Sequence, residues 1–254
     1  MEGLGVGSVL ITGCDGGVSL GLLKGFLEQP TPPRHLFAAC LDPQGKLVSK
    51  TSCPLADMTD PNSIKAAVGK VREKVGSSGL NLLINNACTT RRSTLATETA
   101  ENMTLVYTTN TIGPLQTSQA FLPLLKEAAE AEGQRRMSCS RAAIINISSI
   151  LGSIEVAEAW EERQDVCYRC SKAALNMLTK CLALEYGSSG ILCVVGTHPG
   201  WRWGWWGGGW LIFTPMQDPV TVEESVRGVL QLLSHLSATN NGTFWDWRGQ
   251  SLPW

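Results

Sequence analysis

The sequence predicts a doubly wound parallel α/β sheet, a three-layer sandwich in one domain spanning residues 1–254. Three observations lead there. Short apolar runs alternate with helical stretches along the chain, the first run stops at a glycine-rich turn that opens a helix, and polar residues suited to chemistry follow the runs. In such sheets ligands bind beyond the carboxyl ends of the strands.

Ser8 to Thr12 (SVLIT) is the first strand, stopped by Gly13, and a helix follows from about Val18 to Glu28. His35 to Cys40 (HLFAAC) is the second strand, and a weak third near Ser52 to Ala56 contains Pro54, which suits an edge. After the Asp60-Pro61 start signal, Ile64, Ala67, Val68, Val71 and Val75 recur at helical spacing. Leu80 to Ile84 is the next buried strand. A long helix from about Glu98 to Ala131 leads to the strand Ala142 to Ile147, and a helix near Tyr168 to Tyr186 leads to the strand Ile191 to Gly196. Val222, Val226, Val229, Leu230 and Leu233 mark a last helix before a short strand at Thr243 to Trp245. Helical connections of this length imply right-handed crossovers with helices on both faces.

Composition excludes several classes of function. A formal net charge of -1 gives no electrostatic reason to expect nucleic acid or an anionic membrane as partner. No apolar run approaches the roughly 20 residues needed to cross a bilayer. The nine cysteines, an odd number scattered mostly through apolar runs, read as reduced thiols of a cytoplasmic protein. Cys167 and Cys170 form a C-x-x-C without the second pair a zinc site needs, so no metal is expected.

The chemistry is concentrated in a few places. The turn Thr12-Gly13-Cys14-Asp15-Gly16-Gly17 lets phosphate oxygens approach backbone N–H groups at a helix N-terminus, whose partial positive charge favours anions. Tyr168 and Lys172 stand four apart on a predicted helix and so share one face, which brings an ammonium near a phenol and predicts a lowered phenol pKa. Ser149, just past a strand, offers a hydroxyl to a carbonyl oxygen, and Asn110 lies inside the long helix. Taken singly, they read rather as an ordinary strand-end serine, a solvent-facing amide and a solvated helix face.

Together they have an order. Thr12-Gly13-x-x-x-Gly17, Asn85-Asn86-Ala87, Asn110, Ser148-Ser149, Tyr168-x-x-x-Lys172 and His198-Pro199-Gly200 follow one another as in the short-chain dehydrogenase/reductase family, whose fold is of the Rossmann type. Within that match Leu80 to Ala87, Asn110 to Pro123, Tyr168 to Thr179 and Gly242 to Trp254 resemble the C-factor and Sniffer-type carbonyl reductases. The resemblance implies an NAD(P)-dependent oxidoreductase that reduces a small carbonyl compound. It makes Tyr168 the proton donor, Ser149 the anchor of the substrate oxygen, Lys172 the residue that tunes Tyr168 and binds the nicotinamide ribose, and Asn110 the holder of a proton-relay water. It assigns Gly13, Gly17 and Ser19 to the phosphate turn, Asp57 to the adenine, Asn86 to the adenosine ribose, and Pro199 and Gly200 to the nicotinamide. NADP(H) is the implied cofactor, with NAD(H) the second choice, and a homodimer through the helices of Asn110 and Tyr168 is the implied assembly.

The groove departs from that pattern where the catalytic residues do not. Ser19 replaces the third glycine, Cys88 the glycine after Asn85-Asn86-Ala87, Gly16 the basic residue of NADPH-preferring relatives, and Leu41 their 2'-phosphate arginine; Asp42 comes one place late for an NAD-selecting carboxylate. Gly204 stands where relatives carry a threonine, inside the low-complexity run Trp201 to Trp210, and residues 201–218 are expected to form an irregular Trp/Gly-rich lid. These departures leave a second reading, a catalytically weak or inactive member of the fold that acts as a binding protein or is a degenerate isoform.

Overall fold

The computed structural model describes residues 4–14, 17–40, 57–133, 136–156, 160–161, 163–198, 202–206, 209–214 and 217–254, with the side chains of 202–219 left aside. Its six-stranded sheet has the order β2-β1-β3-β4-β5-β9 and is parallel throughout. The strands are β1 (Ser8–Thr12), β2 (His35–Ala39), β3 (Leu82–Asn85), β4 (Ala143–Ser148), β5 (Leu192–Thr197) and β9 (Phe244–Trp245). Strands β1, β3, β4 and β5 are buried along their whole length, as their unbroken apolar runs require when helices cover both faces. The weak third strand expected at Ser52 to Ala56 lies outside the described residues.

Alternation along the strands sorts the core into two layers. Val9, Ile11, Leu82, Ile145, Leu192 and Val194 face α1 (Gly17–Leu27) and α6 (Val222–His235). Leu10, Phe37, Leu83, Ile144 and Cys193 face α2 (Pro61–Val75), α4 (Gly113–Ala131) and α5 (Val166–Tyr186) on the other side. This is the three-layer sandwich read from the sequence. Helix ends follow local chemistry: Asp60 caps α2 through bonds of 3.1 Å from the Asn62 and Ser63 amides, and Thr221 with Glu224 forms a capping box on α6.

The long helix before Ala131 is unbroken from Ala100. It runs as α3 (Ala100–Tyr107), a π-helical turn at Thr108–Ile112, then α4, the π turn accommodating one extra residue where Asn110 is buried. One expectation is corrected. The stretch expected to be irregular carries antiparallel strands β6 (Arg202–Trp206), β7 (Gly209–Thr214) and β8 (Gln217–Thr221), where the high β-propensity of tryptophan outweighs the glycines. Among the described residues no helix is long and apolar enough to cross a membrane. Seven described cysteines are free, and four of them, Cys14, Cys139, Cys167 and Cys193, are buried.

Candidate active site

The carboxyl ends of β1, β3 and β4 bring the sequence-selected residues together. At β1, Gly13 has φ +71, and a Cβ on it would stand 2.6 Å from Ala87 Cα, so a glycine is required for the two strand exits to meet. Thr12 ties them: its Oγ1 accepts the amides of Asn86 at 3.0 Å and Ala87 at 3.1 Å, and Asn86 Nδ2 donates to the Thr12 carbonyl at 3.2 Å. Ser19 Oγ donates to the Gly13 carbonyl at 2.6 Å, strapping the turn onto the start of α1. Asp57 folds its own loop, Oδ1 accepting from the Thr59 amide at 2.8 Å and its hydroxyl at 2.7 Å. Pro199 and Gly200 lie outside the described residues, as do Asp15, Gly16, Leu41 and Asp42.

The four catalytic candidates are buried: Asn110 and Tyr168 at 0%, Lys172 at 1% and Ser149 at 4% exposure. Asn110 is therefore not solvent-facing. From the π turn its Oδ1 accepts the Thr89 amide at 2.8 Å, and its Nδ2 donates to the Thr89 carbonyl at 2.9 Å and to Ser171 Oγ at 3.0 Å. It thus joins the exit of β3 to the helix of Tyr168. Lys172 Nζ lies 5.6 Å from the centre of the Tyr168 ring and donates to the Ile147 carbonyl at 2.7 Å. Ser149 opens a short 3-10 turn, its Oγ accepting the Leu151 amide at 3.2 Å, and lies near enough to Tyr168 to act on its phenol.

Electrostatics differ from the expectation in one respect. Burial raises the Tyr168 pKa well above its ordinary value; the Cys88 thiol adds to this, and the Ser149 hydrogen bond and the Arg163 charge only partly oppose it. The lowering expected from Lys172 does not show: desolvation of the phenolate sets the direction. Burial likewise lowers Lys172, and Cys88 opposes that fall. The Cys88 thiol, standing where the resemblance expects a glycine, is itself pushed up by burial, with the Lys172 ammonium pulling the other way. Its backbone is fixed between Ala87, held by Thr12, and Thr89, held by Asn110.

Sequence reasoning missed one element of this neighbourhood. Glu98 reaches the first turn of α5, where its Oε2 accepts the Cys167 amide at 2.9 Å and also the Ser93 hydroxyl, while Oε1 accepts the Thr99 amide at 3.0 Å. A glutamate in a loop carries no motif that would have marked it. A separate cleft of about 660 Å³, lined by Arg227, Gln231, His235, Trp245 and Trp247 among others, shares none of the catalytic residues.

The chain matches the family model for short chain dehydrogenases over residues 8–201. It is similar to the C-signal protein of Myxococcus xanthus, 30% identical over 60% of this chain and 79% of that protein. Among solved structures, an NADPH-bound carbonyl reductase from chicken fatty liver is 45% identical with a TM-score of 0.89, covering 98% of this chain and 94% of the other. The carbonyl reductase Sniffer of D. melanogaster is 34% identical with a TM-score of 0.86, covering 98% of this chain and 100% of the other. With motif order, sheet topology and the buried Asn110, Ser149, Tyr168 and Lys172 in agreement, the chain belongs to the short-chain dehydrogenase family of oxidoreductases and resembles its Sniffer-type carbonyl reductases.

Proposed function

We propose that this chain reduces small carbonyl compounds with NADP(H), Tyr168 donating the proton. The observation that carries the reading is the packing of Ser149, Tyr168, Lys172 and Asn110 into one buried group at the ends of β3 and β4, beside the glycine turn. The choice of NADP(H) over NAD(H) is supported by the NADPH-bound chicken relative.

The described residues fit such a cofactor. Gly13 keeps the turn tight, the N-terminus of α1 presents backbone N–H groups to a pyrophosphate, and Ser19 secures that turn. Gly17 opens the helix, Asp57 would meet the adenine, Asn86 the adenosine ribose and Lys172 the nicotinamide ribose; Pro199 and Gly200, outside the described residues, keep the nicotinamide role that the family resemblance implies. When bound, the cofactor supplies the hydride. The protein's own part is orientation and acid. Ser149 holds the substrate oxygen, and Tyr168 Oη delivers a proton to it as the carbonyl carbon is reduced. Burial keeps the phenol protonated at neutral pH, which loads the acid for reduction and disfavours it as the base for oxidation. The Lys172 ammonium offsets the charge left on the phenolate, and Asn110 ties Thr89, next to Cys88, to Ser171 on the helix of Tyr168.

Cys88 favours a second reading, a groove that binds cofactor weakly, since it puts a side chain where the resemblance expects a glycine. Titration of purified protein with NADPH and NADH, followed by NADPH oxidation against a panel of aldehydes, ketones and quinones, separates the two. Saturable NADPH binding with turnover of at least one carbonyl class supports reduction. Failure to oxidise NADPH with every class removes it.

A further inference from the structure

The helix that carries Tyr168 has no cap of its own. Its N-cap residue, Asp165, has φ 39 and makes no side-chain bond to the first turn; it is buried in an ion pair with Arg163. A non-glycine residue in that left-handed region is kept there by its surroundings. The first amides of a helix are donors without an intrahelical partner, and a carboxylate is the acceptor best matched to them and to the helix dipole.

That carboxylate comes from elsewhere in the chain. Glu98 Oε2 takes the amide of Cys167, the residue before Tyr168, at 2.9 Å. The same loop is clamped to the same turn at two further points: the Leu95 amide donates to Gln164 Oε1 at 3.1 Å, and Cys167 Sγ to the Arg91 carbonyl at 3.5 Å. Glu98 is in turn held by the Ser93 hydroxyl and the Thr99 amide. With the Ser93 hydroxyl 3.9 Å from Cys167 Sγ, four contacts from one loop converge within five residues of the phenol, and none of them involves a strand of the sheet.

We propose that Glu98 is a positioning residue, a cap supplied in tertiary fashion by the loop before α3 that sets the first turn of α5 and thereby the phenol of Tyr168. This rests on the reading of Tyr168 as proton donor. A loop that merely stapled the surface would leave proton transfer unchanged; one that aims Tyr168 acts through it alone, and small misplacements of a reacting group cost rate more than affinity.

The test is a mutant cycle of Glu98→Ala with Tyr168→Phe, measured by single-turnover reduction of 4-nitrobenzaldehyde with NADPH. Glu98→Ala should lower the wild-type rate by about tenfold or more while the NADPH Kd stays within about twofold. Glu98→Gln, which keeps an oxygen for the Cys167 amide, should remain within about threefold of wild type. In the Tyr168→Phe background Glu98→Ala should change the residual rate by less than about twofold, because the group it aims has already gone. An unchanged rate in Glu98→Ala, or an equal loss in both backgrounds, overturns the proposal. Should the wild type itself not reduce carbonyls, the function reading fails and amide hydrogen exchange decides the cap: Glu98→Ala should accelerate exchange at Cys167 to Arg169 by about tenfold or more, leaving Leu175 to Leu182 unchanged. Uniform acceleration along α5, or none, overturns it.

Discussion

Gly152 is pressed against Lys172: a methyl group at position 152 would stand 2.7 Å from Lys172 Cβ and 2.8 Å from its carbonyl carbon. The turn that begins at Ser149 and the helix that holds Lys172 can approach only because residue 152 has no side chain. Gly152→Ala should therefore destabilise the protein by about 1–3 kcal/mol and move the Lys172 ammonium away from the Tyr168 ring. Thermal unfolding and carbonyl reduction measured side by side check this, and wild-type values in both would show that the two elements can part without cost.

Tyr168→Phe keeps the buried ring and removes only the hydroxyl. Turnover should fall by about 10² or more, with NADPH affinity and melting temperature nearly unchanged. A variant retaining more than about a tenth of wild-type turnover would assign the proton to another group.

The pH dependence of stability carries a signature of Glu98. Burial works against its charge, yet hydrogen bonds from Ser93, Thr99 and Cys167 outweigh that and bring its pKa down from 4.5 to about 2. A lowered folded-state value means that the stabilisation is complete above 4.5 and is lost as pH falls through about 2. The melting-temperature gap between wild type and Glu98→Gln should be constant from about pH 8 to 5 and close steadily below that. Differential scanning fluorimetry across this range measures it; a gap that stays constant down to the acid limit of folding contradicts the assignment.

Thiol reactivity should follow burial. Cys139 and Cys193 are pushed up to about 12 by burial alone, whereas Cys170 and Cys181 are exposed. Brief iodoacetamide treatment followed by peptide mass spectrometry should find Cys170 and Cys181 modified, with Cys139 and Cys193 protected until the protein unfolds. Equal labelling of Cys139 and Cys170 would show that the core opens on the labelling time scale.

Much of this was legible in the sequence because it depends on local pattern. Continuous apolar runs at Ser8 to Thr12 and Ala142 to Ile147 can only be strands covered on both faces, and the glycine turn at Gly13 marks its own geometry. Asn110, Ser149, Tyr168 and Lys172 were found from motif order, and the structure brings them together. What was not legible depends on distance along the chain. The π turn at Asn110 keeps a helical pattern of side chains while shifting one residue, so periodicity passes over it. The raised Tyr168 pKa comes from burial by several elements at once, whereas counting neighbours in sequence finds only the nearby cation. Glu98 meets Cys167 across 69 positions, a separation no short motif spans.

The order of the central sheet also bears on how the chain reaches its native state. Val9 pairs with Leu82, Leu82 with Ala143, Ala143 with Leu192, and the edge strand at Phe244 joins Val195, so no pairing in this part of the sheet closes a short hairpin. Each must bear the entropy of a long loop before its contacts return anything, which makes folding slow and leaves apolar strand edges exposed meanwhile. During synthesis β1 waits for β3, and the edge of β5 at Val195 is covered only once Phe244 has left the ribosome. Yield on expression should thus respond to translation rate and chaperone supply more than to any single contact in the finished molecule.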